Sequence, residues 1–272
     1  LRGIGARALR VALVFSLLTA LTQIGGAAYL AGRWLARRGE VTRLSARLAI
    51  FLSVYVSATT AAALTAPLFG RVPLSCFGSG SLQVQSPLYC ALSRNFVTVE
   101  AKRAAEALSA AMALEFPGTV TLVLDANFPF LDGFPLLPHL SHDDGRKLDI
   151  AFYYRDEKGT PLNRAARSPV GYFVFEEPVP GASLPCTERD DLLTLRWNMG
   201  FLQGFFPAWT LDEARTGAAL RWLALEGPEF GVERIFIEPH LAARLGVAHP
   251  YVRFQGCRAA RHDDHIHFQV TE

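Results

Sequence analysis

Two long stretches without a charged side chain constrain this chain more than anything else in it: Val11 to Gly32 and Leu48 to Gly70. Each exceeds the roughly 20 residues a helix needs to cross a bilayer. Helices on a soluble core normally carry a charged outer face, which neither run has. The small residues Gly25, Gly26, Ala27 and Ala28 in one run, and Ala61, Ala62 and Ala63 in the other, would let two helices pack closely. The pattern predicts a transmembrane hairpin with helices at about 11–32 and 48–70. A cleavable signal peptide is the rival for the first run, since Arg2, Arg7 and Arg10 precede it. The length of the run and the second span close behind it favour retention.

Orientation follows from the intervening loop, where Arg33, Arg37, Arg38, Arg43 and Arg47 face one acid, Glu40. The positive-inside rule makes that loop cytoplasmic and places both termini outside, with the N-terminal arginines competing. Residues 1–71 hold nine arginines and one glutamate, a net of +8, so against the whole-chain +2 the remainder carries −6. The basic character therefore belongs to the anchor. No basic stripe marks residues 72–272, so nucleic acid is not an expected partner.

All four cysteines, Cys76, Cys90, Cys186 and Cys257, lie in that second part, and no two have Cys-x-x-Cys spacing. An even count suits disulfides in an oxidising compartment, in agreement with an outward-facing domain. Three pairings are possible. Cys76 with Cys90 and Cys186 with Cys257 is the expected one, and four buried free thiols are the alternative.

Five of the seven histidines fall in two short segments, Leu137 to Asp149 and Arg261 to His267. His and Asp are ligands of catalytic zinc, which takes three protein ligands and keeps a position for water. His142, Asp149 and His267 are the expected set. Asp149 opens an apolar and aromatic run, Leu148 to Tyr154, that reads as a strand, and Gly145 permits a tight turn that folds His142 back beside it. His265-Ile266-His267-Phe268-Gln269-Val270 alternates polar and apolar residues, so both histidines share one face while Ile266 and Phe268 face the core. His267 can then bind metal while His265 stands beside the metal-bound water as a base.

These residues resemble a known family. His142-Asp143-Asp144-Gly145-Arg146-Lys147-Leu148-Asp149 matches a His-x-x-Gly-x-x-x-Asp motif, and His265-Ile266-His267 a His-x-His motif. Both belong to the superfamily of lysostaphin-type enzymes, D-alanyl-D-alanine metallopeptidases and hedgehog domains. His139-Leu140-Ser141-His142 and Arg261-His262-Asp263-Asp264-His265 are similar to segments of the penicillin-insensitive murein endopeptidases within it. Arg146 and Lys147 stand at positions often small or acidic in relatives, and Arg261 where glycine is common. The resemblance covers about twenty residues in all. It implies active-site roles for His139 and His262. Asp263 and Asp264 are placed to hydrogen-bond ligand imidazoles, with a solvated turn residue as the alternative for one of them.

The expected fold class is α+β: a transmembrane hairpin, then an extracytoplasmic zinc peptidase domain whose small, mainly antiparallel sheet is flanked by helices. The expected function is zinc-dependent hydrolysis of peptidoglycan peptides at the outer face of a bacterial cytoplasmic membrane, as a murein cross-link endopeptidase. The alternatives are a D,D-carboxypeptidase, a zinc-bearing cell-wall binding module without catalysis, and a membrane protein with incidental histidines. Elsewhere, Arg71 to Tyr89 reads as a linker or irregular entry loop. Helices are expected at 97–116, 190–206 and 211–225, the last capped by Thr210, with a short one near 240–245. Strands are expected at 119–125 and 232–237. Asp132 and Gly133 either line a cleft or belong to a loop packed by Phe128, Phe130 and Phe134. Trp197, Trp209 and Trp222 are assigned to the core, and His240 and His249 to the surface or to helix caps.

Overall fold

A computed structural model describes residues 2–137, 139–189, 196–197 and 199–271. The expected helix over 190–206 falls largely outside them, and within the described part only Gly200–Gln203 is helical.

The first apolar run does not form one helix over 11–32. It makes α1 (Arg2–Thr22), turns at Gln23 and Ile24, and returns as α2 (Gly25–Arg38); α3 (Leu44–Thr65) follows. Gln23 takes a left-handed φ of 62°, and the Thr22 hydroxyl accepts from Gly25 N at 2.8 Å to seat the next helix. The small residues explain the break: a Cβ on Gly26 would lie 2.0 Å from Thr19 Oγ1, so α2 fits against α1 only with glycine there. Close packing through small residues is thus present between the two halves of one run, and it recurs between the runs, where a Cβ on Gly32 of α2 would lie 3.2 Å from Phe51 Cα of α3. At 14 residues α2 rises about 21 Å, short of the roughly 30 Å of a bilayer core. The segments long and apolar enough to cross are Gly5–Thr22 and Leu44–Phe69.

This antiparallel arrangement puts the start of α1, the end of α2 and the start of α3 at one end, where Arg7, Arg33, Arg37 and Arg47 surround a common cavity. The N-terminus therefore lies at the same end as the basic loop rather than opposite it, and the two groups of arginines agree. The other end meets the remainder of the chain. Gln23 Oε1 accepts from Phe130 N at 3.0 Å, the Tyr55 hydroxyl donates to Ala91 O at 2.5 Å, and the Phe69 ring packs edge-on against Phe130.

Residues 72–271 are α+β around a mixed six-stranded sheet. Its strands are β1 (Leu82–Val84), β2 (Thr121–Val123), β3 (Lys147–Ala151), β4 (Val232–Phe236), β5 (Val252–Arg253) and β6 (His265–Val270), in the order β5-β4-β6-β3-β2-β1. The four central strands are antiparallel, and each edge adds a parallel pair. The expected linker is thus part of the fold: it supplies β1, and Val72–Pro73 pairs with Phe96–Val97.

The period of two decides the faces. Leu148 and Ile150 of β3 and Ile266 and Phe268 of β6 are fully buried, each worth roughly 1.5–3 kcal/mol. They enter one hydrophobic core with Ala104, Leu108 and Met112 of α4 (Val99–Glu115) and Leu220 and Leu223 of α5 (Glu213–Leu225). Thr98 caps α4 through Ala101 N. Asp212, not Thr210, caps α5, accepting from Arg215 N at 3.2 Å; Thr210–Leu211 instead pairs with Tyr154–Arg155 in a small three-stranded sheet. The strand from Leu148 therefore stops at Ala151, and Tyr154–Arg155 belongs to another sheet. Helix α6 (Pro239–Arg244) holds His240, which is buried and donates from Nε2 to Glu176 O, against the surface role expected of it. Asp132 pairs with Arg71, and Phe128 packs on Phe134, so the loop at 128–134 is a packed one. The disulfides join Cys76 to Cys90 and Cys186 to Cys257, and no described cysteine is free.

Candidate metal centre

The centre of the sheet places His267 directly opposite Asp149. Because side chains alternate, His265, His267 and Asp149 leave the sheet on the face away from the core. The loop from His139 to Arg146 closes over them.

That loop depends on Gly145, whose φ is +80°. Its amide donates to Asn127 Oδ1 at 3.0 Å, its carbonyl accepts from Thr98 N at 2.8 Å, and a Cβ would meet Arg71 Nη1 at 2.3 Å. Arg71 is itself buried and paired with Asp132. Gly145→Ala is expected to combine left-handed strain of about 1–2 kcal/mol with displacement of Arg71, lowering the melting temperature and weakening metal binding together. Gly159→Ala, at φ +78° with nothing within 4 Å, carries the strain alone and should leave metal content unchanged. Equal melting shifts for the two variants would refute the Arg71 argument.

Three ligand atoms converge. His142 Nε2 lies 3.1 Å from His267 Nδ1 and 3.3 Å from Asp149 Oδ1, and His267 Nδ1 lies 2.9 Å from the same oxygen. A tetrahedral ion with bonds of about 2.0–2.1 Å separates its ligands by roughly 3.3 Å, so this triangle fits one. His142, Asp149 and His139 also place one ligand atom each within 4.8 Å of one another. Of the two candidates for the third ligand we favour His267, because His139 Nδ1 points at the other carboxylate oxygen, Asp149 Oδ2, at 2.8 Å.

The surroundings orient each group. His142 Nδ1–H donates to Ala126 O at 2.8 Å, which fixes the tautomer and turns the Nε2 lone pair inward. The Tyr172 hydroxyl donates to Asp149 Oδ2 at 2.8 Å and accepts from Asp125 N at 2.8 Å. With His139 and Tyr172 on Oδ2, Asp149 Oδ1 is left facing His142 and His267. Asp125 is held behind them by a bidentate pair with Arg94 at 2.5 and 2.6 Å.

His265 is set differently. Its Nδ1–H donates to Asp264 Oδ1 at 2.5 Å, and Asp264 Oδ2 accepts from Phe173 N at 2.7 Å. Phe173 carries a φ of 70°, a strained conformation for a bulky residue. His265 Nε2 is buried without a partner, 3.6 Å from Asp149 Oδ1. His262 Nδ1 is also buried and unpartnered, its ring 4.9 Å from that of His265. Buried polar nitrogens are seldom left unpaired, so this pair marks where a ligand belongs.

Burial would raise Asp149, but His142, His265 and His139 hold its carboxyl well below the usual carboxylate range. Burial lowers His142, and Asp149 more than offsets that, so its imidazole titrates above 6.5. Burial pulls His267 down to about 4. Burial also opposes charge on His265, but Asp149 and Asp264 outweigh it and push the group up to about 9. An ion held by His142, Asp149 and His267 would have to displace the proton from His142, and its charge would also work against the proton on His265. Apparent metal affinity should fall about ten-fold per pH unit as pH drops through the His142 value. Competition with a chromophoric chelator between pH 8 and 6 checks this, and a flat profile would contradict it.

The site opens into two cavities that share His139, Leu140 and Ala260. One, of about 400 Å³, is walled by Leu137, Phe173, Phe175, Trp197 and Met199; the other, of about 220 Å³, by Ser141, Gln255, Arg258 and His262. Trp197 therefore faces a cavity and is half exposed, unlike the core residue expected, whereas Trp222 is buried. Arg261 pairs with buried Asp263 and lies 4.0 Å over the Phe175 ring. Arg146 and Lys147 turn to Asp144 beside them and away from the site. Tyr172 and Phe173 escaped sequence reasoning, and Gly171 before them was the one local signal of an unusual backbone. Compared with known proteins, the chain matches no family model and no curated sequence.

Proposed function

We propose that this chain is a membrane-anchored, zinc-dependent peptidase acting on peptidoglycan peptides, with its site outside a bacterial cytoplasmic membrane. The observation that carries this reading is the convergence of His142 Nε2, Asp149 Oδ1 and His267 Nδ1 beside the unpartnered His265 Nε2. When bound, zinc supplies a water acidified to a pKa near about 7 and polarises a scissile carbonyl. His265, held by Asp264, would serve as the base once the charge of a bound ion beside it had displaced the proton that Asp149 and Asp264 keep on it in the metal-free site. Its Nε2 could then take the water's proton and return it to the leaving amine. His139 keeps Asp149 oriented through Oδ2, and the unpartnered His262 Nδ1 is available to substrate.

The membrane part of the reading draws on the two crossing-length apolar segments, the single basic end and the two disulfides. The peptidoglycan part draws on the motif resemblance, with cross-link endopeptidase action as the first choice. One observation favours a D,D-carboxypeptidase: Arg258 lines the smaller cavity beside His142 and His267, where a guanidinium suits a terminal carboxylate.

The test is metal analysis of the full chain in detergent, with incubation on purified peptidoglycan with and without chelator. One zinc per chain and chelator-sensitive release of uncross-linked peptides is the expected result, and release of single terminal D-amino acids would select the carboxypeptidase. One zinc with no product would move the assignment to a binding module, and absence of zinc would refute it.

A further inference from the structure

Helices α1 and α3 each pack along α2 and leave between them a cavity of about 360 Å³ at the basic end. Its mouth carries Arg7, Arg33, Arg37 and Arg47, one or two from each helix, and its walls are Val14, Leu18, Leu48 and Phe51. Tyr29 closes the floor, edge-on against Phe51 and beneath the Arg33 guanidinium. By helix rise Leu18 stands about 16 Å along α1 from Arg7. The cavity is thus cationic at one end and apolar at the other.

No carboxylate among the described residues pairs with any of the four arginines, and Glu40 is the single acid in the helical unit. Among the described residues Arg33 is engaged by the Tyr29 ring alone, and the Arg47 guanidinium by the carbonyl of Val41. Four guanidiniums converging without a counter-ion, beside an apolar lane, call for an anion that is also apolar along its length. We propose that this cavity is a specific site for one anionic phospholipid, its phosphate held by the Arg7, Arg33, Arg37 and Arg47 guanidiniums and an acyl chain lying along Val14, Leu18, Leu48 and Phe51. The site rests on the membrane reading of α1–α3 and is independent of the metal centre. It gives the basic end a role beyond setting topology: a bound lipid would tie the three helices together where α1 and α3 part.

The experiment uses the full chain, purified in mild detergent, stripped of lipid and examined by native mass spectrometry. Added phosphatidylglycerol should give one adduct per chain, at least ten-fold more tightly held than phosphatidylcholine, and inorganic phosphate in millimolar excess should not displace it. Arg33→Gln with Arg37→Gln should weaken the adduct at least ten-fold. Leu18→Trp, which fills the apolar lane without changing charge, should do the same. Arg38→Gln with Arg43→Gln removes the same charge outside the cavity and should leave the adduct intact. Equal loss in that control would reduce the effect to diffuse electrostatics and overturn the site, as would equal binding of phosphatidylcholine, displacement by phosphate, or a dimer forming where lipid should bind. Extraction of the protein from membranes by alkaline carbonate would defeat the membrane reading, a failure distinct from an embedded chain that retains no lipid.

Discussion

His267→Ala and His142→Ala should each lose both metal and hydrolysis, whereas His265→Ala should keep one metal per chain and lose activity by about 10²–10⁴-fold. The split follows from which nitrogens converge. His142 Nε2 and His267 Nδ1 form the triangle with Asp149 Oδ1, while His265 Nε2 stands 3.6 Å from that oxygen, its ring tied to Asp264. Removing a ligand leaves two, too few to hold a catalytic ion. Removing His265 leaves all three and takes away only the group that handles the proton. Asp264→Asn should follow His265→Ala in kind with a smaller loss, since Nδ1 would lose its anionic partner and the ring its fixed orientation. Metal content by plasma emission, read beside peptide release, distinguishes the classes. Full metal occupancy in His267→Ala would transfer the third ligand to His139, which the geometry leaves as the nearest replacement.

What the sequence made legible has a common basis: periodicity and paired chemistry. Alternation in β6 placed His265 and His267 on one face and Ile266 and Phe268 on the other, and the register with β3 sets His267 against Asp149. Gly145 signalled the return of the loop, and its φ of +80° is the backbone such a turn needs. The expected cysteine pairing is the one formed, but the even count indicated only that disulfides form and did not select it from the three possible pairings. The charge-free first run hid its own break, because hydropathy does not record direction. Gln23, Gly25 and Gly26 mark the turn only when glycine is read as a site of close approach. Tyr172, Phe173 and Trp197 lie in irregular segments with no period, so nothing in their spacing points to Asp149 or to the cavity. Asp212 displaced Thr210 as the cap of α5 because its carboxylate also answers Arg215 and Arg155.

That last pairing carries the largest expected effect on stability. Arg215 is 1% exposed, yet its guanidinium reaches Asp212 Oδ2 at 2.8 Å, Tyr154 O at 2.6 Å and Asn163 Oδ1 at 3.2 Å, and lies 5.4 Å from the Tyr153 ring centre. It fastens the first turn of α5 to the chain leaving β3, a few residues beyond Asp149. In Arg215→Ala the carboxylate of Asp212 stays buried with the half-open Arg155 as its single cationic partner beside the capping amide of residue 215, and the Tyr154 carbonyl loses its donor. Breaking a buried pair from one side costs about 3–5 kcal/mol, which for a domain of this size lowers the melting temperature by on the order of ten degrees. Arg215→Met with Asp212→Asn removes both charges and keeps much of the packing, so it should recover part of the loss. Both proteins should still bind one metal in the cold, because the triangle of His142, Asp149 and His267 is built on the strands and the His139 loop, and among the described residues none of α5 makes a hydrogen bond or ion pair with it. A melting shift under two degrees for Arg215→Ala would show that Arg155 and solvent can replace the buried guanidinium. Loss of metal in a variant that remains folded would show instead that α5 sets the position of Asp149, making the helix part of the metal centre's support.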